Sequence, residues 1–510
     1  MRFLIFLSAY LLVHPPGLIS QVNLNFEKGL NGWTILGKDV EITRETVPGI
    51  VERSCVKLGP AFGGISQRVS TSGLRILDFQ IRLRSSDSGT KAYCFARFFD
   101  SAGHQILEMR SGPYRSPQYQ QGGEYAETPP FCRYVDLGVE RDSSEQGIVF
   151  VDSASLSLEE GEPPRINRFA GSLDQCLHPF WSTDSVYDEA VLMYGERGQG
   201  ATGRLLGEPA EILAVRSYDG QREFRLGRDY ALSGRTLTRL SGSGMPFRTD
   251  SSFDKSDLAW YNLQSAWILV TYRPKQSWQG PRPFLRAPTL NRSLARLRSR
   301  SPLHIVVLGM SISRGMDVSG YDQVPPYQPT YAQLFRYGLS RQFSDHSIQL
   351  DNAGLPGATV DWGADYASVY VNPLHPDLLV IDFGMNDFWR TEPQDFARSV
   401  EKIIREVRSE NPACEFLLIS NMLFDPDYII DSDPHKSWYR NNFKGYGLAM
   451  KAMQSPGIAN LDMTSLTESL YQAKKAKDFL VNPLHPNDYL VRWYAQCLLA
   501  LFPPDQKKNR

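Results

Sequence analysis

The sequence predicts a multidomain chain in which two N-terminal all-β regions, the first a jelly-roll-like β-sandwich, precede a three-layer α/β/α domain with a parallel sheet. Three observations carry this prediction. From Gln21 to about Glu160, short alternating runs are separated by Gly, Ser, Asp and Pro, which is the rhythm of a sandwich. From Pro163 to Pro274 strand patterns are punctuated by hairpin turns. From Leu303 onward apolar strand runs alternate with helical patterns, the mark of parallel strands joined by crossover helices. At 510 residues the chain is also too long for one hydrophobic core.

Composition narrows the function classes. Hydrophobic residues make up 42% and charged residues 22%, as in a globular protein. Lys and Arg total 55 against 56 Asp and Glu, a net charge of -1, so there is no electrostatic footprint for nucleic acid. The six arginines between Arg282 and Arg300 read as a solvated linker and helix face. Met1-Arg2, the apolar run Phe3 to Val13, then His14-Pro15-Pro16 and Ser20 have the layout of a secretory signal. That run is about a dozen residues, short of the roughly twenty needed to span a bilayer, so we expect a secreted or periplasmic protein with no membrane span. Six cysteines (Cys55, Cys94, Cys132, Cys176, Cys414, Cys497) are widely spaced with no Cys-x-x-Cys pair. Export permits disulfides, and free buried thiols are equally compatible.

The expected parts are a leader over 1–20, a β-sandwich over 21–162, a β-rich middle domain over 163–274, a linker and helix over 275–300, and the α/β/α domain over 301–504. In the first part, Ile76 to Leu83 and Tyr93 to Phe99 are strands, with Trp33 and Tyr93 expected in the core. The opening Asn25 to Trp33 and the closing Val149 to Leu156 together resemble the first and last strands of carbohydrate-binding jelly-roll modules, which implies that fold and a glycan contact. In the middle part, Ile212 to Ser217, the turn Tyr218-Asp219-Gly220 and Arg222 to Leu226 read as strand, turn, strand. Ser233-Gly234 is a second turn and Ala266 to Tyr272 a final strand. No catalytic constellation appears there, and a supporting role is expected.

In the last part, helical spacing at Leu290 to Arg298 leads into the Ile305 strand. Strands are expected at Ile348 to Asn352, Leu378 to Phe383, Phe416 to Asn421 and Ile458 to Asp462. Helices are expected at Tyr331 to Gln342, Pro393 to Ser409, Trp438 to Met453, Ser465 to Lys475 and Asp488 to Phe502. Several of these strands end in polar, glycine-bearing turns: Gly309-Met310-Ser311, Asn352 to Gly357, and Gly384-Met385-Asn386-Asp387. Val481-Asn482-Pro483-Leu484-His485 stands just before the last helix. Ligands of open α/β sheets bind at the carboxyl ends of the strands. A serine, a histidine and amide donors gathered there are what ester hydrolysis needs.

In that order the four blocks resemble those of the SGNH (GDSL-like) hydrolase superfamily. The resemblance implies Ser311 as nucleophile, His485 as general base, and an oxyanion hole from the N–H groups of Ser311 and Gly357 and the side chain of Asn386. It implies no cofactor and no metal. Val-Asn-Pro-Leu-His-Pro occurs twice, at Val371 to Pro376 and Val481 to Pro486. His375 enters the strand whose far end carries Asn386, roughly 25 Å away by strand rise, whereas His485 feeds the last helix as the family's final block does. His304, His346 and His435 lack a comparable setting.

Two positions depart from the family pattern. Met310 stands where the family has aspartate before the nucleophile, a change read as tolerated. Asn482 stands three residues before the histidine, where the family has its acid. Three arrangements follow: a Ser-His dyad oriented by Asn482 or a backbone carbonyl, which is the preferred one; a carboxylate recruited from Asp478, Asp425 or Asp427; or a weakened enzyme. The expected activity is removal of O-acetyl groups from a polysaccharide or oligosaccharide, with an acetylated glycan as partner. The alternatives are a lipid or thioester acyl hydrolase on the same fold, or a glycan-binding protein whose hydrolase domain is inactive.

Overall fold

The structure, a computed structural model, describes residues 25–45, 53–61, 63–71, 75–142, 147–159, 168–195, 200–249, 266–283, 289–344, 347–426 and 436–504, with backbone alone at 45, 53, 158–159 and 436–440. The expected leader, Asp427, His346 and His435 lie outside the described residues. The chain divides into two compact units, residues 1–161 and 162–510.

The first unit is a β-sandwich of two five-stranded antiparallel sheets. One sheet runs Thr34–Gly37, Gly63–Ser70, Tyr134–Arg141, Ala92–Phe99, Gln105–Tyr114; the other runs Val40–Glu45, Arg53–Leu58, Val149–Glu159, Ile76–Ser85, Gln120–Glu127. Strand alternation sends Leu77, Phe79, Ile81 and Leu83 inward against Val135, Leu137 and Val139 of the opposite sheet, in one shared core. Phe26 and Trp33 close that core with ring centroids 5.3 Å apart. Tyr93 departs from expectation. It is half-buried and turned outward, with the Arg110 guanidinium 3.9 Å from its ring centroid. Its neighbour Cys94 takes the inward position, because successive side chains must point to opposite faces.

The second unit begins with two small sheets. Val186–Leu192, Trp267–Pro274 and Pro209–Ser217 form one, with Trp267–Pro274 central; Tyr230–Ser233, Thr236–Arg239, Thr202–Arg204, Tyr194–Gly195 and Arg248–Thr249 form the other. Gly220 and Gly234 adopt positive φ in the turns the sequence marks. Beyond Gly220 the expected strand Arg222 to Leu226 is not formed. Only isolated bridges Arg216 to Glu223 and Leu226 to Tyr230 appear, and Arg225 turns back through Asp229.

The remainder is a five-stranded parallel sheet flanked by helices. Its elements are α1 (Asn291–Ser299), β1 (Leu303–Gly309), α2 (Ser311–Arg314), α3 (Tyr331–Phe343), β2 (Ile348–Gly354), α4 (Val360–Tyr370), β3 (Leu378–Asp382), α5 (Pro393–Glu410), β4 (Glu415–Ser420), α6 (Lys436–Ala452), β5 (Ile458–Asp462), α7 (Met463–Ala473) and α8 (Asp488–Ala500). The strand order is β2-β1-β3-β4-β5 and every pairing is parallel. β1, β3 and β4 are apolar runs because both faces are covered by helices, whereas the edge strand β2 carries polar, partly exposed residues. The order reverses between β1 and β3, so the loops after β1, β2 and β3 open at one crevice.

The small sheets and the α/β domain share a buried polar weld. Lys474, at the end of α7, places Nζ 2.7 Å from Glu189 Oε1 and 2.7 Å from Ala190 O, with both charged side chains at most 1% exposed. Tyr272 donates to the other Glu189 oxygen at 2.7 Å. The Leu192 N–H donates to Asp478 at 2.7 Å, and burial pushes the Asp478 carboxyl up to about 6 against the pull of Lys474. Removing one partner leaves a buried charge uncompensated. Lys474→Met should therefore lower unfolding free energy by about 3–5 kcal/mol in chemical denaturation of the full chain. A loss below about 1 kcal/mol, the range of an exposed pair, would show that the weld carries little.

Candidate active site

β1 ends at Gly309, Met310 remains extended, and Ser311 opens the single turn of α2. Arg314 N–H returns to Met310 O at 2.9 Å, and the turn closes through Gly315 and Met316 N–H groups on Ser311 O. This sharp strand-to-helix change holds Ser311 at the carboxyl end of β1. Met310, not Ser311, occupies the helix cap position, so the serine hydroxyl is free of capping. It lies instead 2.8 Å from His485 Nε2.

His485 is delivered by a short ribbon, Leu480–Asn482 against His485–Pro486. Asn482 builds its turn: Oδ1 accepts the N–H groups of Leu484 (2.9 Å) and His485 (3.0 Å). Just beyond, Asn487 caps α8 by accepting the Leu490 N–H and donates to Asp478 O. The far ring nitrogen, Nδ1, lies 2.5 Å from Asp317 Oδ2. Asn482 Nδ2 donates to that same Asp317 oxygen at 2.8 Å and sits 3.1 Å from Nδ1. With Asn482 Oδ1 already taken by two backbone donors, the Nδ1 proton has the Asp317 carboxylate as its acceptor, and Nε2 is left to accept from Ser311.

The remaining blocks line up on the other side. Leu355-Pro356-Gly357-Ala358 is a turn closed by Ala358 N–H to Leu355 O at 3.0 Å. Gly357 takes φ 81 with nothing within 4 Å of a Cβ position. Proline second and a positive-φ glycine third is the pattern of a type II turn. The loop is pinned to β1 by Leu355 N–H on Gly309 O at 3.1 Å. Asn386, after β3, donates to Ala358 O at 2.9 Å, which orients the amide. Its nitrogen is also 3.8 Å from Met310 Sδ, a weak acceptor. Asp387 Oδ1 takes the first N–H of α4, from Val360, at 3.0 Å. Its other oxygen has no hydrogen-bond partner among the described residues, and burial pushes this carboxyl up to about 7.

Residues 307–490 match the family model described as GDSL-like Lipase/Acylhydrolase family. This part of the chain is a GDSL-like hydrolase domain. Among solved structures the chain is similar to an α/β hydrolase enzyme from the metagenome of Lake Arreo, Spain (17% identity, 40% of this chain and 98% of that one, TM-score 0.31). It is also similar to a putative GDSL-like lipase from Parabacteroides merdae (16%, 39% and 95%, TM-score 0.32). A two-domain esterase active on acetylated mannans, co-crystallised with mannopentaose, is similar over 43% of this chain and 53% of that one (21%, TM-score 0.33). No curated protein matches the chain.

The GDSL-like domain thus brings Ser311 and Asn482 each against His485, on opposite ring nitrogens, and sets Gly357 and Asn386 on one linked pair of loops. His375 is exposed at the opposite end of β3, and His304 pairs with Asp351 at 2.7 Å. The preferred expectation for the histidine, a ring held by Asn482 or a backbone carbonyl, differs from the geometry. A carboxylate does hold it, and it is none of the three considered. Asp478 is committed to Leu192 and Lys474, and Asp425 meets the ribbon through its own N–H on Pro483 O. Asp317 lies 168 residues from His485 in the chain, and no local pattern ties the two together. The signal lay in the nucleophile's own block, where Gly315 and Asp317 both suit left-handed backbone. All six cysteines are buried. Among the described residues no helix is long and apolar enough to cross a membrane.

The raised Asp387 carboxyl ties stability to pH. Its pKa is about 7 in the folded chain and roughly 3.9 when unfolded, so it stabilises while protonated. That contribution is complete below the unfolded value and is lost as pH rises through about 7. Asp387→Asn keeps an acceptor for Val360 and cannot ionise. The melting temperature of the wild type should therefore fall relative to that of Asp387→Asn between pH 4 and pH 8. Parallel curves would contradict the buried-acid assignment.

Proposed function

We propose that this protein is an exported serine esterase that removes acetyl groups from a polysaccharide or oligosaccharide. The observation that carries the chemistry is the contact of Ser311 Oγ with His485 Nε2 at 2.8 Å, backed by a carboxylate on the opposite ring nitrogen. As Ser311 Oγ attacks the ester carbonyl carbon, His485 takes its proton. The tetrahedral oxyanion is received by the N–H groups of Ser311 and Gly357 and by Asn386. Collapse expels the alcohol, which takes the proton back from His485. Water, deprotonated by the same ring, then releases the acyl group from the serine.

The substrate assignment is supported by the leader-like N-terminus and by the β-sandwich that precedes the GDSL-like domain. A sandwich with the strand pattern of glycan-binding modules would hold a polymer near an enzyme that deacetylates it.

Ser311→Ala should reduce hydrolysis of 4-nitrophenyl acetate by on the order of 10⁴–10⁶-fold; equal rates for the two proteins would remove the serine mechanism. Asn386→Ala should cost roughly 10²–10³-fold in kcat, the value of one oxyanion donor, with KM little changed. For the substrate class, acetate released from acetylated polysaccharides is compared with cleavage of long-chain acyl esters. Preference for the long chains would overturn the glycan reading and leave the serine chemistry standing.

A further inference from the structure

We propose that in this protein the acid and the amide have exchanged places: Asp317, on the loop after the nucleophile, supplies the carboxylate for His485, and Asn482 holds that carboxylate from the position where the family pattern places the acid. This inference rests on the serine mechanism above and assigns a positioning residue to it.

The geometry points to the exchange from both sides. Asp317 Oδ2 receives two donors, the ring Nδ1 at 2.5 Å and the Asn482 amide at 2.8 Å. Asn482 is locked in the orientation that makes it a donor, because its oxygen is held by the Leu484 and His485 N–H groups. A carboxylate at 482 would put an oxygen where that amide nitrogen now stands, 2.8 Å from Asp317. Two carboxylates that close cannot both stay ionised. Once Asp317 occupies the site, an uncharged donor at 482 is what electrostatics demands. The family-pattern departure at 482 and the carboxylate at 317 are therefore one feature.

The loop is built to present Asp317. Gly315 has φ 95 and Asp317 φ 65, and aspartate is among the few side chains that tolerate the left-handed region. Two residues on, the Ser319 N–H and Oγ donate to the two Asp488 oxygens at 2.9 and 2.6 Å. Gln328 donates to Ser319 Oγ at 2.8 Å and to Asp488 O at 2.7 Å, and accepts from Arg492 Nε at 2.6 Å. Asp488 and Arg492 belong to α8, whose first residue is three beyond His485. The acid and the base are therefore tied to the same helix by separate sets of bonds. When His485 takes the serine proton, Asp317 remains ionised and offsets the imidazolium charge.

The test compares Asp317→Asn, Asn482→Asp and the double variant in the full chain, with Ser311→Ala alongside. Asparagine tolerates the left-handed backbone, so Asp317→Asn keeps the loop. It should lose roughly 10³–10⁴-fold in kcat, with KM within about threefold of wild type and unchanged far-ultraviolet dichroism. Asn482→Asp alone should shift the acid limb of the pH profile, because two carboxylates then share one site. The double variant should recover at least tenfold over Asp317→Asn. The exchange is overturned if Asp317→Asn keeps kcat within tenfold of wild type, or if the double variant is no faster than Asp317→Asn. An inactive Ser311→Ala beside an active Asp317→Asn rejects the acid assignment alone, whereas an active Ser311→Ala rejects the serine mechanism itself.

Discussion

The interaction on which the site depends is the bond between the Asp317 carboxylate and His485 Nδ1. It selects the tautomer in which Nε2 is bare and can accept from Ser311, and it places a negative charge behind the ring that the proposed mechanism makes positive. Much of the surrounding architecture follows from making that bond across a sequence separation of 168 residues. A strand must stop and turn at Gly309, a loop must reverse through Gly315, and a ribbon must return from the far end of the chain. The buried pairs Ser319 with Asp488 and Gln328 with Arg492 keep the two arriving segments in register.

The same helix that anchors the site also binds the small sheets. Arg492 reaches Tyr187 O and the Asp188 carboxylate, which burial would raise but which Arg492 and Arg216 hold below the ordinary range. Phe180 stacks on Trp493 with centroids 3.4 Å apart. The region before the α/β domain is thus part of the packing that holds α8, in one compact unit with it. Its position explains how a segment without catalytic groups bears on a site built elsewhere.

The extent to which this was legible in the sequence follows from the range of the interactions involved. Parallel strands such as Leu378–Asp382 declare themselves because burial on both faces demands a continuous apolar run, and the blocks at Ser311, Gly357, Asn386 and His485 mark the ends of those strands or the entry to the last helix. Local alternation also placed Trp33 in the sandwich core. It failed at Tyr93, where strand register turned the ring outward under Arg110, and at Arg222 to Leu226, where a hairpin pattern met no partner able to complete a ladder. Asp317 was the hardest to read. Nothing local distinguishes its carboxylate from any other; only the arrival of His485 and of the Asn482 amide gives it a role.

The most direct test of the account is to treat the full chain with a phosphonofluoridate ester, which phosphonylates an activated serine, and to locate the adduct by peptide mass spectrometry. The account predicts one adduct, on the peptide containing Ser311, with labelling abolished in His485→Ala. An adduct on another residue, or undiminished labelling without His485, would contradict it.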